Sequence, residues 1–173
     1  MLNAPERLVT PRLGIAPWTD DEVDAFHAIW GDPEVIFWGA SADREASRAM
    51  LARVLARCAG RPWPVAWHAV TLRESGEVVG NVCLQPAPWD TSELEVGWHF
   101  RRSAWGRGHA TEAARALLEK AFEVLAPKRV VCAILPSNAR SQRVAARLGF
   151  TRFAENFPHG GLPHDLLEVR PQT

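Results

Sequence analysis

Trp105-Gly106-Arg107-Gly108-His109-Ala110-Thr111-Glu112 joins a strand-like segment, Glu93 to Phe100, to a strongly amphipathic helix. In that helix Ala110, Ala113, Ala114, Leu117, Leu118, Ala121, Phe122 and Leu125 recur at steps of three and four, the period of one buried helix face. The two glycines ahead of it let the backbone approach a ligand with no side chain between them. The first turn of a helix carries unpaired N–H groups, and the helix dipole makes that end positive. Strand, glycine loop and helix start together predict an anion cradle suited to a phosphate or diphosphate. A tight strand-to-helix turn would need the same glycines, but the magnitudes favour a ligand. One hydrogen bond to a charged group contributes about 1.5–3 kcal/mol, against roughly 0.5–1 kcal/mol for each glycine in a helical position.

Length and charge set the frame around this motif. The chain has 173 residues, 47% of them apolar, which predicts one globular domain over residues 1–173. Its 20 basic and 20 acidic residues cancel, which argues against a nucleic-acid or membrane-surface partner. No apolar run reaches membrane length and the N-terminus shows no signal-peptide pattern, so a cytoplasmic location is expected. Cys58, Cys83 and Cys132 are far apart, with no metal-ligand spacing and no disulfide frame. Cys83 and Cys132 lie in apolar strand-like runs and read as buried structural thiols. The chain has eight Trp and no Tyr.

Outward from the cradle, the pattern predicts an α/β (α+β) domain with a mixed central sheet of about six to seven strands and about four helices. Glu6 to Ile15 reads as one strand. Thr19 reads as the cap of a helix from Asp20 to Trp30, stopped by Gly31-Asp32-Pro33, and a second helix runs from Asp43 to Cys58. Pro64–Arg73 and Val78–Leu84 form a hairpin across Glu74-Ser75-Gly76-Glu77. In Glu93–Phe100, Leu94, Val96, Trp98 and Phe100 face one way, and Glu93, Glu95, Gly97 and His99 the other. Lys128–Leu135 is nearly continuously apolar, as in a sheet interior. Asn138–Leu148 is a short helix closed by Gly149, and Thr151–Phe153 and Leu166–Val169 complete the sheet. If the strands flanking the long helix pair in parallel, the cradle lies at a carboxyl strand end, where open α/β sheets place ligands.

These residues resemble the GNAT superfamily of acetyl-CoA-dependent N-acetyltransferases, and within it the branch that includes ribosomal-protein N-acetyltransferases. The likeness spans roughly Arg7 to Phe153. The family's phosphate loop, Gln/Arg-x-x-Gly-x-Gly/Ala, stands here as Trp105-Gly106-Arg107-Gly108-His109-Ala110, with Trp105 in place of the polar first residue. A second motif follows in order: Asn138-Ala139-Arg140-Ser141, then Val144-Ala145-Ala146-Arg147-Leu148-Gly149-Phe150. Asp32-Pro33-Glu34-Val35, Trp67 and Gly76-Glu77-Val78-Val79-Gly80 also fit. The resemblance implies acetyl-CoA as co-substrate and no metal. Its diphosphate would rest on Gly106, Arg107, Gly108, His109, Ala110 and Thr111. Its pantetheine arm would lie like an added strand along Gly97, Trp98, His99 and Phe100, with Asn138 and Ser141 contacting it. Asn138 can equally cap its helix.

Amide formation from a thioester and an amine requires an acceptor for the amine proton, donors for the developing oxyanion, and no metal or enzyme nucleophile. Glu95 is the first candidate base, Glu93 the second and His99 the third. The backbone N–H of Trp98 or a neighbour is the candidate oxyanion donor. Relatives use a Tyr as general acid; with no Tyr, Ser141 is the remaining hydroxyl, serving as acid or only positioning the sulfur. His159 and His164 flank Gly160-Gly161; the spacing can suit a metal, but a flexible hairpin loop near the acceptor is the favoured reading. The Phe37-Trp38-Gly39 segment is among those expected to shape the acceptor pocket, and Trp38, Trp63 and Trp89 can stack on a substrate or fill the core. The acceptor is a small-molecule amine or a protein N-terminus, and a homodimer stays open as an assembly. A non-catalytic acyl-CoA-binding module is the alternative. A dinucleotide-binding protein is disfavoured, because no Gly-x-Gly-x-x-Gly follows an early strand with an acid about 20 residues on.

Overall fold

The computed structural model describes residues 7–171. One sheet of eight strands runs through them in the order β1-β2-β3-β4-β5-β6-β8-β7. Its strands are β1 (Leu8–Val9), β2 (Leu13–Pro17), β3 (Trp67–Leu72), β4 (Val78–Ala87), β5 (Asp90–Phe100), β6 (Val130–Ile134), β7 (Thr151–His159) and β8 (Leu162–Val169). The helices are α1 (Val23–Trp30), α2 (Arg44–Cys58), α3 (His109–Leu125) and α4 (Ala139–Arg147), with a single 3-10 turn at Arg102–Ala104. Every adjacent strand pair is antiparallel except β5 and β6, which run parallel.

The sheet separates two cores, and strand alternation assigns each side chain to one of them. Val82, Leu84, Val96 and Phe100 pack with Ala113, Leu117 and Ala121 of α3 and Ala145 of α4. Ala69 and Cys83 face the other way, against Trp18, Phe26, Ile29 and Trp30 of the α1 side and Leu51 and Val54 of α2. Cys83 and Cys132 are buried free thiols, as their apolar runs imply, and Cys58 is partly buried. The Asp43 carboxylate accepts the Ala46 N–H and caps α2.

Several elements differ from the sequence reading. Of the single N-terminal strand expected from Glu6, that first residue lies outside the described residues. The rest is a hairpin, because Thr10-Pro11-Arg12 turns: Thr10 N–H donates to Leu13 O and its hydroxyl accepts the Leu13 N–H. α1 starts at Val23 and not Asp20. The Thr19 hydroxyl bonds the carboxylates of Asp21 and Glu22, and Glu22 also accepts the Thr19 N–H, so these residues form a turn ahead of the helix. β7 and β8 are much longer than expected and the count rises to eight. Pro158 and Pro163 lie opposite each other in this hairpin; Pro158 is on β7, the sheet edge, and Pro163 on β8 lies past the end of the β6 ladder at Ile134↔Asp165, so neither faces a further strand that needs its N–H. Gly160 and Gly161 both take positive φ (57° and 79°), as a two-residue type I′ turn requires.

Leu117 is wholly buried at the centre of the α3 face. Leu117→Ala is expected to lower unfolding free energy by about 2–5 kcal/mol in denaturant titrations, with an unchanged m value.

Candidate active site

β5 and β6 pair only at Leu94↔Val130 and Glu95↔Val131. Beyond that point β5 continues to Phe100 beside β4 and β6 continues to Ile134 beside β8, with no ladder between them. The strands therefore part and leave a cleft of about 520 Å³. Arg101 N–H donates to Val79 O on β4. Backbone groups alternate sides along a strand, so the N–H groups of Val96, Trp98 and Phe100 point into the cleft. Those of Gly97 and His99, both expected on the cofactor, turn to β4. Val96 is thus a cleft donor that the sequence reading omitted.

The cradle closes the cleft at its far end. Gly106 and Gly108 both have positive φ (74° and 78°), and Gly108 immediately precedes α3. A Cβ on Gly106 would meet nothing within 4 Å, so its glycine serves the backbone bend and the space beside it is open. Gly106, Gly108, His109, Ala110 and Thr111 all line the cleft. His109 Nδ1 and Thr111 Oγ1 are buried without a partner, which suits a loop that receives a polar ligand. Burial, and then the Arg12 charge, hold the His109 pKa below its usual value.

Two contacts brace this loop. Arg12, in the β1–β2 turn, donates from Nη1 to Arg107 O (2.8 Å) and from Nε to Glu112 (2.6 Å). Glu112 also accepts the Thr10 hydroxyl (2.6 Å). Trp105, which replaces the usual polar residue, donates from its indole to Phe100 O (2.7 Å) and stacks under the Arg140 guanidinium at 3.7 Å. It ties the end of β5 to α4. Asn138 caps α4, its side-chain oxygen accepting the Ser141 N–H (3.1 Å). Asn138 and Ser141 both line the cleft.

The chemistry-bearing face of β5 is organised by its neighbour. Gln85↔Glu95, Cys83↔Gly97 and Asn81↔His99 are direct cross-strand partners. Trp67 Nε1 donates to Gln85 Oε1 (2.8 Å), and Gln85 Nε2 donates to Glu95 Oε2 (3.0 Å). Trp18 Nε1 donates to Asn81 Oδ1 (2.8 Å), and Asn81 Nδ2 lies 3.2 Å from His99 Nδ1. An indole N–H can only donate, so each indole fixes its amide with oxygen toward itself and NH₂ toward β5. Glu95 therefore receives a donor. His99 Nδ1 must accept, which leaves the proton of the neutral ring on Nε2.

Burial pushes the Glu95 carboxyl up to about 7, against a lesser lowering by the Gln85 bond. Burial likewise takes His99 down to about 4, so its ring stays neutral. Glu93 lies lower on the strand, bound by Arg129 at 2.7 and 3.0 Å. Arg129 also binds Glu168, which commits the Glu93 carboxylate to a structural network. Trp30 stacks on Trp67 (5.0 Å) and lies 4.6 Å from the His99 ring; Trp38, half-exposed at the cleft lip, lies 5.7 Å from it. Trp63 packs edge-on against buried His68, and Trp89 against Phe157 and His159. His159 and His164 face each other across the hairpin that turns at Gly160-Gly161, ring centroids 5.2 Å apart, each at the end of a strand. Among the described residues no group of three or more His, Cys, Asp or Glu is placed to hold a metal, and no helix is long and apolar enough to cross a membrane.

Residues 12–151 match the acetyltransferase (GNAT) domain family, so the chain belongs to the GNAT acetyltransferases and is an acetyltransferase. It is 25% identical over 154 residues to the uncharacterized N-acetyltransferase p20 of Bacillus licheniformis, covering 85% of this chain and 83% of that one. The crystal structure of an acetyltransferase from Agrobacterium tumefaciens superposes with a TM-score of 0.81 at 26% identity, covering 99% and 98% of the two chains. A ribosomal-protein-S5-alanine acetyltransferase from Vibrio fischeri shares the fold, with a TM-score of 0.75 at 14% identity over 95% of this chain and 96% of that one. Acetyl-CoA is the family's co-substrate. The parted strands, the open glycine loop and its two orphaned polar atoms fit such a group.

A Glu with an ordinary value of 4.5 and a folded value of about 7 binds its proton more tightly when folded. That contribution to stability is fully present below 4.5 and is lost as pH rises through about 7. Glu95→Gln is neutral throughout, so its melting temperature should fall less than that of the parent protein between those two pH values; parallel curves would contradict the burial argument.

Proposed function

We propose that the chain transfers an acetyl group from acetyl-CoA directly to a primary amine, a small molecule or a protein N-terminus, with Glu95 as general base. The observation that carries this reading is the placement of Glu95: a carboxylate at the point where β5 and β6 part, with a raised pKa and one oxygen held by Gln85. A base works best when its pKa lies near the working pH. Near pH 7 about half of Glu95 is ionised and able to take a proton, while its conjugate acid remains strong enough to give the proton up. His99 is a poor base here, since Nδ1 already accepts from Asn81 and Nε2 carries the proton. Glu93 is a poor one because Arg129 holds it.

Acetyl-CoA supplies the activated acyl group, a carbonyl with a good leaving thiolate. The protein's contribution is positioning and proton management. Backbone N–H groups of Gly106 through Thr111, at the positive start of α3, receive the diphosphate. Val96, Trp98 and Phe100 offer N–H groups to the pantetheine arm as a strand would, and the Trp98 N–H is the candidate donor for charge developing on the carbonyl oxygen. The amine nitrogen forms the new C–N bond as the C–S bond breaks, and its proton passes to Glu95, directly or through a water. Ser141, whose hydroxyl is the one the α4 cap leaves beside Asn138 in the cleft, positions the sulfur; the leaving thiolate takes its proton from solvent. A non-catalytic acyl-CoA-binding module would keep the cradle but would have no use for a buried carboxylate of this kind.

Glu95→Gln should lower kcat at neutral pH by about 10²–10⁴-fold and leave the acetyl-CoA dissociation constant unchanged within about twofold. The parent protein should show an acidic limb in its rate profile near 7, absent from the variant. These are read from thiol release with an amine and peptide panel and from calorimetry. Tight binding with no amine-dependent thiol release would establish the binding module instead. Ser141→Ala should raise the KM for acetyl-CoA with kcat nearly unchanged; a kcat loss of about tenfold or more would make Ser141 the proton donor.

A further inference from the structure

We infer that α4 carries a second phosphate seat, in which Arg143 and Arg147 bind the ribose 3′-phosphate of the coenzyme, so that the protein discriminates CoA from 3′-dephospho-CoA. The inference rests on the acetyltransferase reading, with the diphosphate in the glycine cradle. Three observations carry it. First, Arg140, Arg143 and Arg147 share one face of α4, at steps of three and four, and all three line the cleft. α4 contains no acidic residue, and none of the three arginines pairs with a carboxylate among the described residues. Glu34 and Glu95, the carboxylates that line the cleft, are engaged by Arg102 and Gln85. Like charges at these spacings repel along a helix, and Arg140 stands in the first turn, where the dipole disfavours a cation. The helix thus carries unfavourable electrostatics that an anion in the cleft relieves.

Second, the arginines flank the cradle. The Arg140 Cζ lies 3.7 Å from the centroid of the Trp105 ring, in the residue just before Gly106. A guanidinium stacked on a ring keeps its N–H donors free in its own plane. Arg147 lies about 10 Å farther along α4, at a rise of roughly 1.5 Å per residue. Gly108, Thr111 and Arg147 line both the cleft and a second groove beside α3, so the two are contiguous there. Arg115 of α3 donates to Arg147 O (2.8 Å), which brings a further cation to the same place. Third, the cradle accounts for one anionic group. The backbone N–H groups at the start of α3, with Arg140 beside them, suit a diphosphate. Arg143 and Arg147 remain, and coenzyme A carries one further phosphate, on the ribose next to the diphosphate. Guanidinium donors come in pairs that match phosphate oxygens, so two of them favour that phosphate over a bare ribose hydroxyl.

The test compares CoA with 3′-dephospho-CoA by calorimetry. The parent protein should bind CoA roughly 10–100-fold more tightly, the worth of charge-assisted hydrogen bonds to one phosphate. That preference should shrink as salt is raised, since the seat is exposed to solvent. In the double variant Arg143→Gln, Arg147→Gln the preference should fall to within about twofold, through weaker CoA binding alone. Its retained affinity for 3′-dephospho-CoA shows that the cleft is still folded. The double variant Arg143→Lys, Arg147→Lys keeps the charge and should recover part of the preference. Arg140→Gln should weaken both ligands alike, because its guanidinium serves the diphosphate. Equal affinity of the parent protein for the two ligands overturns the inference while the acetyltransferase reading stands. A preference that survives the double Gln variant, or equal weakening of both ligands in it, overturns the inference as well. Failure of the parent protein to bind either ligand removes the acetyltransferase reading, and the inference with it.

Discussion

Two indole N–H groups set the polarity of the reaction face. Trp67 and Trp18 can only donate, so Gln85 and Asn81 have no choice of orientation, and the two β5 side chains opposite them inherit opposite roles. A carboxylate receives a donor, and in the proposed reaction it is the proton acceptor. An imidazole receives a donor and is left with its proton at the cleft. The same buried surroundings that raise the carboxyl lower the imidazole, because burial disfavours the charged form of each. Geometry and desolvation therefore agree, and neither residue can take over the other's task without a rearranged amide.

This arrangement depends on the sheet around it. The antiparallel register of β4 and β5 puts Gln85 opposite Glu95 and Asn81 opposite His99, and a slip of β5 by one residue would turn Glu95 and His99 to the α3 core, away from their amides. The short parallel ladder of β5 and β6 then opens one edge of the same strand. β5 thus carries chemistry on one face, core on the other and free backbone donors along its outer half. The loop at its end and the Arg12–Glu112 brace fix where the cleft stops.

Much of this was legible in the sequence, for identifiable reasons. The cradle, α3 and the β5 alternation were readable because they follow local rules: glycine before a helix, a helical apolar stripe, a period of two. Glu95 was readable as the first candidate base from its face of the strand and its place in the family's pattern, and its role as base is our proposal. The N-terminal turn and the long β7–β8 hairpin were not, since Thr-Pro and strand prolines are judged by position in a sheet that the sequence does not display. Trp18, Trp67, Asn81 and Gln85 were also out of reach as a set. Their roles come from cross-strand partners and from indoles 63 and 18 residues away in the chain. The signal that could have pointed to them is the Asn81-x-x-x-Gln85 spacing, which matches His99 and Glu95 in reverse on the next strand.

The His99 ring is where the account is most directly open to measurement. A long-range proton–nitrogen NMR correlation on protein labelled with nitrogen-15 histidine distinguishes the two neutral tautomers and the imidazolium. The account predicts a neutral ring at pH 6 to 8 in this measurement, about the usual histidine titration range, protonated on Nε2, with Nδ1 showing the shift of an accepting nitrogen. A ring protonated on Nδ1, or one that becomes doubly protonated across that range, would contradict the claim that the indole–amide pairs set the polarity of this face.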